Sequence, residues 1–98
     1  MSAAPVEDFV YTVSADAATI TRYKGPGGDV EIPAELGGVA VKSIGASAFY
    51  RCTGLTSIAI PAGVKTIGEA AFSDCTGLTG INIPVGVTSI GDYTFYRC

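Results

Sequence analysis

The stretch LTSIAIPAGVKTIGEAAFSDC at residues 55–75 is followed, after Thr76-Gly77, by LTGINIPVGVTSIGDYTFYRC at residues 78–98. A longer variant, VEIPAELGGVAVKSIGASAFYRC, precedes both at residues 30–52. Self-similarity at a period between about 20 and 50 residues is typical of a solenoid, whose units bury their apolar side chains by stacking. Three residue types recur at intervals of 23: Ile44, Ile67 and Ile90; Phe49, Phe72 and Phe95; Cys52, Cys75 and Cys98. We therefore predict that the three phenylalanines lie in a single file through the core.

Two alternating apolar segments in each repeat predict two short strands with one buried face. The first segment ends at a proline (Pro33, Pro61 or Pro84), which suits a strand end because proline cannot donate to a ladder. The second ends at a glycine, and the Ala-Phe pair that follows predicts a short helical turn. The expected fold is mostly β with short helical turns, its parallel strands stacked about 4.8 Å apart.

The first third of the chain departs from the repeat. FVYTV at 9–13 and ATITRY at 18–23 predict a β-hairpin, which would shield the open end of a solenoid core. Gly25-Pro26-Gly27-Gly28 lacks the Lys-Ser/Thr of a phosphate-binding loop, so a turn is predicted there. We divide the chain into a tail and capping hairpin (1–29) and three repeats (30–54, 55–77 and 78–98). No comparable cap is evident after the last repeat.

The combined motif, Leu-x-x-Ile-x-Ile-Pro, Val-x-x-Ile-Gly and Ala-Phe-x-x-Cys, resembles the BspA-type leucine-rich repeat. The lead-in FVYTVSADAATITRYKGPGGDVEIPAELGGVAVKSIG is similar to the segment that commonly opens such arrays. The resemblance implies a right-handed solenoid, extracellular or at the cell surface, with adhesion or protein binding as its role and no catalytic residues. Family members usually hold more than the three repeats found here. The chain is therefore expected to be a fragment of a longer protein or a short unit that completes itself by association.

Composition excludes several other classes of function. The net charge is −3 and the six basic residues form no run, which argues against nucleic acid and anionic membrane surfaces as partners. No apolar stretch approaches the ~18 residues of a spanning helix, so no membrane insertion is expected. Histidine, the commonest general base and metal ligand, is absent. We expect a non-enzymatic protein with no cofactor.

Two columns of reactive side chains have simple structural interpretations. Three cysteines stacked one solenoid turn (one rung) apart form a straight column, which cannot surround zinc tetrahedrally. We therefore expect buried free thiols, with Cys98 as the exception and the most accessible of the three. Glu69 and Asp92 are one repeat apart, and solvated like charges are favoured there over a carboxylate pair for glycoside hydrolysis or calcium binding.

The binding candidates are exposed positions that repeat along the stack. Tyrosine and arginine are enriched at interface hot spots, which favours Tyr50, Arg51, Tyr96 and Arg97 on one edge, where Asp74 alternates in sign with the arginines. The alternative is that these rings merely cover the turns. The strand face adds Thr56, Thr79 and Asn82, small polar groups suited to a broad, weak contact with a protein partner.

A second functional hypothesis is self-association through the C-terminal repeat. Its uncovered edge would comprise Leu78, Ile81, Ile83, Ile90 and Phe95. Uncovered strand edges invite pairing with another chain, and a two-fold arrangement gives a closed dimer whereas a head-to-tail one gives a filament. The N-terminal cap favours the homodimer.

Overall fold

The structure, a computed structural model, describes residues 5–98; the first four residues of the predicted N-terminal tail lie outside the described residues. A single 3-10 turn spans Val6–Asp8. Nine strands follow it: β1 Phe9–Ser14, β2 Ala17–Tyr23, β3 Gly28–Glu31, β4 Glu35–Leu36, β5 Val39–Ile44, β6 Leu55–Ala59, β7 Thr66–Ile67, β8 Gly80–Asn82 and β9 Ser89–Ile90. Among the described residues, no helix has the length and apolarity needed to cross a membrane.

Two strand ladders run the length of the stack, and their strands pair in parallel from one repeat to the next, whereas β1–β2 and β4–β5 pair antiparallel. One has the order β3-β6-β8, and the other has the order β1-β2-β5-β7-β9 with β4 attached to β5. In the second ladder Ile44 pairs with Ile67 and Ile67 with Ile90, so residues 23 apart lie side by side. The predicted mostly-β solenoid is confirmed. The proposed limits of the individual units stay a prediction.

The hairpin β1–β2 occupies the N-terminal end of the core and acts as an incomplete extra rung. Its strands pair antiparallel around Ala15 and Asp16, both of which have positive φ. Strand β2 then runs parallel to β5, and the Ile20 carbonyl accepts the Gly45 amide (2.7 Å). Ile20 itself is fully buried. The predicted capping hairpin is therefore confirmed, and its second strand reproduces the backbone contacts of a repeat.

A file of aromatic rings forms the centre of the core, as predicted. Phe49 stacks on Phe72 with ring centroids 5.0 Å apart, and Phe72 stacks on Phe95 at 5.8 Å. The hairpin extends this file, because Tyr23 stacks on Phe49 at 5.1 Å and Phe9 covers Tyr23 at 5.1 Å. Offset stacking at 4.5–7 Å adds about 0.5–1.5 kcal/mol per pair beyond burial. The file joins the cap and all three repeats.

The Ala-Phe segments are runs of tight turns rather than helical turns. In the first repeat alternate amides close i→i+3 turns, and the amides between them donate to the next rung, as Phe49 does to the Ala71 carbonyl (2.7 Å). A helix would use all of these amides internally. Left-handed backbone at two positions of every repeat redirects the chain: Ser47 and Arg51, Ala70 and Asp74, Tyr93 and Arg97. This difference from the prediction arises because bonds between rungs replace bonds within a helix.

The first repeat has five more residues between its proline and its isoleucine (33 to 44) than the second repeat has (61 to 67). These extra residues form a structure that the repeat pattern did not predict. Strand β4 pairs antiparallel with the start of β5 across Gly37 and Gly38, both with positive φ. This small hairpin folds Leu36 into the core, where it is fully buried. The insertion therefore contributes an additional apolar side chain to the first rung.

Glycine ends the second strand of each repeat because neighbouring rungs meet there backbone to backbone. A Cβ at Gly68 would lie 2.5 Å from the Ala46 nitrogen, and one at Gly91 would lie 2.5 Å from the Glu69 nitrogen. Any side chain at these positions would push adjacent rungs apart. The predicted sharp turn at this glycine is thus also a point of close packing.

We predict that the central ring of the aromatic file stabilises the fold far more than the last one. Phe72→Ala should lower the free energy of unfolding by about 3–5 kcal/mol, since a fully buried ring leaves a cavity. Phe95→Ala should cost clearly less, because its ring is 36% exposed and has a stacking partner on one face only. Urea denaturation followed by circular dichroism measures both values. Equal losses of unfolding free energy in the two variants would contradict the view that a ring stabilises the fold through stacking partners on both of its faces.

Candidate functional site

The exposed and partly exposed turn residues form one continuous surface, which we call the turn edge: Tyr50, Arg51, Asp74, Tyr93, Tyr96 and Arg97. Ser73, which shares the column of Tyr50 and Tyr96, is buried. The phenylalanine of each turn points toward the core and the second residue after it points toward the surface, so residues 23 apart stack in columns. Tyr50 and Tyr96 are exposed, and an arginine guanidinium lies over each ring, at 5.9 Å for Arg51 and 5.7 Å for Arg97. The structure thus places four predicted binding residues in two Tyr-Arg pairs on one edge, two rungs apart.

The predicted column of alternating charge forms only in part. Arg97 Nε lies 3.5 Å from Asp74 Oδ1, and the exposure of the arginine limits this pair to about 0–1 kcal/mol. Arg51 makes no ion pair within residues 5–98. An open groove of about 250 Å³ runs between these side chains and is lined by Arg51, Thr53, Asp74, Thr76 and Arg97. The edge therefore offers one unneutralised guanidinium beside a shallow groove.

Tyr93 belongs to the turn edge although the sequence reasoning missed it. Its side chain is 67% exposed, and its ring contacts Tyr96 edge to face at 5.6 Å. The equivalent positions in the other repeats are Ser47 and Ala70. A large aromatic replacing small residues at one register position was the signal that could have found it.

The predicted strand-face residues are brought together, but their polar groups already have partners in the chain. The Thr56 hydroxyl donates to Asp29 Oδ1 (3.0 Å), as does the Ser57 hydroxyl (2.7 Å), and the Thr79 hydroxyl donates to the Thr56 carbonyl (3.1 Å). The two hydroxyl donors, Ser57 first, lower the pKa of the Asp29 carboxyl. This face is consequently a saturated hydrogen-bond network with few free donors.

Asn82, the third predicted strand-face residue, replaces a backbone contact of the repeat. One rung earlier, the Ile32 amide donates to the Ala59 carbonyl (3.0 Å). At the next rung the Ile60 amide donates instead to Asn82 Oδ1 (2.9 Å), and Asn82 Nδ2 donates to the Ile60 carbonyl (3.2 Å). The side-chain amide thereby satisfies both polar groups of one residue. Its position in the binding surface stays a prediction.

Comparison with known proteins agrees with this geometry. The family profile of the BspA-type leucine-rich repeat region (6 copies) matches residues 38–98, more than half of the chain. The chain belongs to the BspA-type leucine-rich repeat family. A comparison with curated proteins found no match.

Three solved structures place this BspA-type chain among bacterial repeat proteins. It is similar to a leucine-rich repeat protein of T. pallidum, with 34% identity and a TM-score of 0.95 over 99% of this chain and 46% of the other. For a leucine-rich repeat protein of Bacteroides ovatus the identity is 34% and the TM-score 0.82, over 93% and 26%. For a leucine-rich cell surface protein of Faecalibacterium prausnitzii they are 27% and 0.53, over 100% and 41%. The chain spans less than half the length of each of these proteins.

The three cysteines of the BspA-type repeats are free thiols, and two of them hydrogen-bond to the turn of the preceding repeat. Cys75 Sγ donates to the Phe49 carbonyl and Cys98 Sγ to the Phe72 carbonyl, both at 3.0 Å. Cys75 is buried, Cys52 is half-buried and Cys98 is exposed, as expected from its position. Contact with Cys52 and burial raise the pKa of the Cys75 thiol, whereas contact with Cys75 and the charge of Arg22 lower the pKa of Cys52.

The last rung of the BspA-type domain exposes apolar side chains whose counterparts one rung earlier are buried. Ile83 is 42% exposed, Ile90 45% and Phe95 36%, whereas Ile60, Ile67 and Phe72 are at most 3% exposed. Leu78 and Ile81, the other two residues of the predicted association edge, are half-buried against the core. The five residues of that edge therefore lie on the same end of the stack.

We predict that Asn82 has a structural role that can be measured separately from binding. Asn82→Ala should lower the free energy of unfolding by about 1–2 kcal/mol, because two part-buried backbone groups lose their partner. Ser89→Ala, an exposed change in the same repeat, is the control and should leave stability within about 0.5 kcal/mol. Unfolding in urea gives both values. If the two variants were equally stable, the bonds to Ile60 would not matter to the fold.

Proposed function

We propose that this BspA-type domain is a non-catalytic scaffold that binds a protein partner through the turn edge. One observation carries the proposal. Aromatic and guanidinium side chains are exposed together on an edge whose backbone is fixed by bonds between rungs. Such rows lose little conformational entropy on binding, which leaves more of the contact energy for affinity. Tyrosine and arginine are also the residues that most often dominate interface energetics.

We further propose that this scaffold works at the cell surface, in adhesion or in protein binding outside the cell. Two points support this location. The chain belongs to a family whose members are typically surface proteins. One similar structure, from Faecalibacterium prausnitzii, is that of a leucine-rich cell surface protein. The strand face with Thr56 and Thr79 would add van der Waals contact rather than new hydrogen bonds, because both hydroxyls already donate within the chain.

The turn edge can be tested with an immobilised chain and a matched set of variants. Biotinylated wild type, the quadruple variant Tyr50→Ala/Arg51→Ala/Tyr96→Ala/Arg97→Ala and the control Lys42→Ala/Lys65→Ala are exposed to surface-protein extracts. We expect proteins that bind wild type and control but not the quadruple variant. With a partner then purified, each single alanine change should weaken binding at least about tenfold in biolayer interferometry, about 1.4 kcal/mol. Unchanged circular dichroism verifies folding. Partners that bind all three proteins equally would overturn the assignment.

A second candidate function is self-association through the last rung, favoured by the exposed Ile83, Ile90 and Phe95. Strands β8 and β9 each end their sheet, so their outer backbone groups are available for pairing. Ile83, Ile90 and Phe95 are already more than half buried. Covering each of them with a second copy would therefore contribute less than the ~1.5–3 kcal/mol of a fully exposed side chain, before association entropy is subtracted. A two-fold contact closes after two copies, whereas the hairpin opposes head-to-tail growth.

The association hypothesis predicts a dimer for the 98-residue chain in analytical ultracentrifugation. Phe95→Glu should shift the chain to monomer, because a charge would be buried in the contact. Val13→Glu places the same charge on an exposed apolar position of the opposite end and should leave the dimer intact. A wild-type chain that stays monomeric at several hundred micromolar would reject this candidate.

A further inference from the structure

A second recess lies where the capping hairpin meets the first repeat. It has a volume of about 260 Å³ and is formed by the end of β2, the Gly25-Pro26-Gly27-Gly28 turn and the first Ala-Phe turn. Arg22 and Lys24 contribute from the hairpin side, and Tyr50, Arg51 and Cys52 from the repeat side. We call it the basic cleft. It shares Tyr50 and Arg51 with the turn edge.

The charge of the basic cleft is opposite to that of the whole chain. The protein has six basic residues and a net charge of −3. Three of the six, Arg22, Lys24 and Arg51, line this cleft, and none of its lining residues is acidic. Within residues 5–98 the single ion pair is Arg97 with Asp74, so none of these three cations is neutralised by a salt bridge.

The Asp8 carboxylate does not cancel this charge. Asp8 lies behind Gly25, where a Cβ would come within 2.6 Å of its carboxyl group and of the Tyr23 hydroxyl. Burial, and then the charge of Asp8, raise the pKa of Tyr23. On the other side of Arg51, Asp74 lines the neighbouring groove and is paired with Arg97, so the three cations of the cleft outnumber the one carboxylate beside it. The cleft thus keeps an excess of positive charge.

The floor and wall of the cleft are fixed before any ligand arrives. Gly27 and Gly54 meet backbone to backbone, since a Cβ at Gly27 would collide with the Gly54 carbonyl oxygen. The Gly28 amide donates to that same carbonyl (2.8 Å), and the Tyr23 hydroxyl donates to the Pro26 carbonyl (2.6 Å). Without side chains on the floor, the three cations border a space large enough for one or two carboxylate groups.

We propose that the basic cleft binds the carboxylate side chains of an acidic segment in the protein partner. Arginine presents a planar fork of donors that matches a carboxylate bidentately, and two arginines border this cleft. The size of the recess suits individual side chains, and the net negative charge of the chain disfavours a long polyphosphate. The exposed ring of Tyr50 adds an apolar surface beside the charges. This inference rests on the proposed scaffold function and specifies the partner's chemistry at one end of the turn edge.

The test uses the full chain, ¹⁵N-labelled and kept reduced, and a defined probe. The probe is the acetylated and amidated peptide Gly-Glu-Asp-Glu-Gly, and its twin Gly-Gln-Asn-Gln-Gly has the same shape without charge. The acidic peptide should cause saturable shifts of the Gly27, Cys52 and Gly54 amides, while the twin should not. Arg22→Gln/Lys24→Gln should weaken binding at least tenfold. Lys42→Gln/Lys65→Gln, which removes the same charge elsewhere on the surface, should weaken it less than twofold.

Several outcomes would overturn the inference. Absence of saturable shifts, equal binding of the uncharged twin, or equal weakening by the two double variants would each remove the basic cleft as a specific site. Inorganic phosphate that bound these residues while the acidic peptide did not would assign the cleft to small anions instead.

Failure of this inference can be distinguished from failure of the proposed function. If the acidic peptide does not bind but Tyr96→Ala and Arg97→Ala still lose a protein partner, the scaffold function stands and the cleft is excluded. If the peptide binds while Tyr96→Ala and Arg97→Ala affect no partner, the cleft stands and the part of the turn edge outside it is rejected as a binding surface.

Discussion

Every other feature of this protein depends on the in-register bonding of one rung to the next. The turn amides that a helix would use internally instead cross to the neighbouring rung, as from Phe72 to the Thr94 carbonyl (2.9 Å). The same register stacks the aromatic rings at 5.0–5.8 Å between repeats. A rung therefore has neither its backbone bonds nor its buried ring satisfied without a neighbour, which makes stability a property of contacts between rungs.

The two ends of the stack differ for the same reason. At the N-terminal end the Tyr23 amide donates to the Ala48 carbonyl (2.8 Å) and the Tyr23 ring continues the aromatic file, so the hairpin supplies what a preceding rung would supply. At the other end the ring of Phe95 and the side chain of Ile90 remain partly exposed. The same periodic interaction thus leaves one end of the stack covered and the other with partly exposed apolar side chains.

The residues that build the core and the residues that form the surface occupy different positions of the repeat. Inward positions are mostly apolar in every repeat, although Thr94 replaces the buried Ala48 and Ala71 in the last one. Positions on the turns change more, as in the column of Arg51, Asp74 and Arg97. Since the backbone is fixed by the inward residues, the outward ones can vary without altering the fold.

The sequence by itself determined the period, the two strand ladders, the file of phenylalanines and the capping hairpin, because each follows from apolar residues recurring at fixed spacing. Tertiary structure decided the rest. The Ala-Phe turns are not helical and Asn82 bonds to Ile60, since both depend on amides of a neighbouring rung. Arg22 and Arg51 are 29 positions apart and meet in one cleft only because the hairpin stacks on the first repeat. Local pattern fixes what a rung buries, but contacts between rungs fix which polar groups remain free to bind.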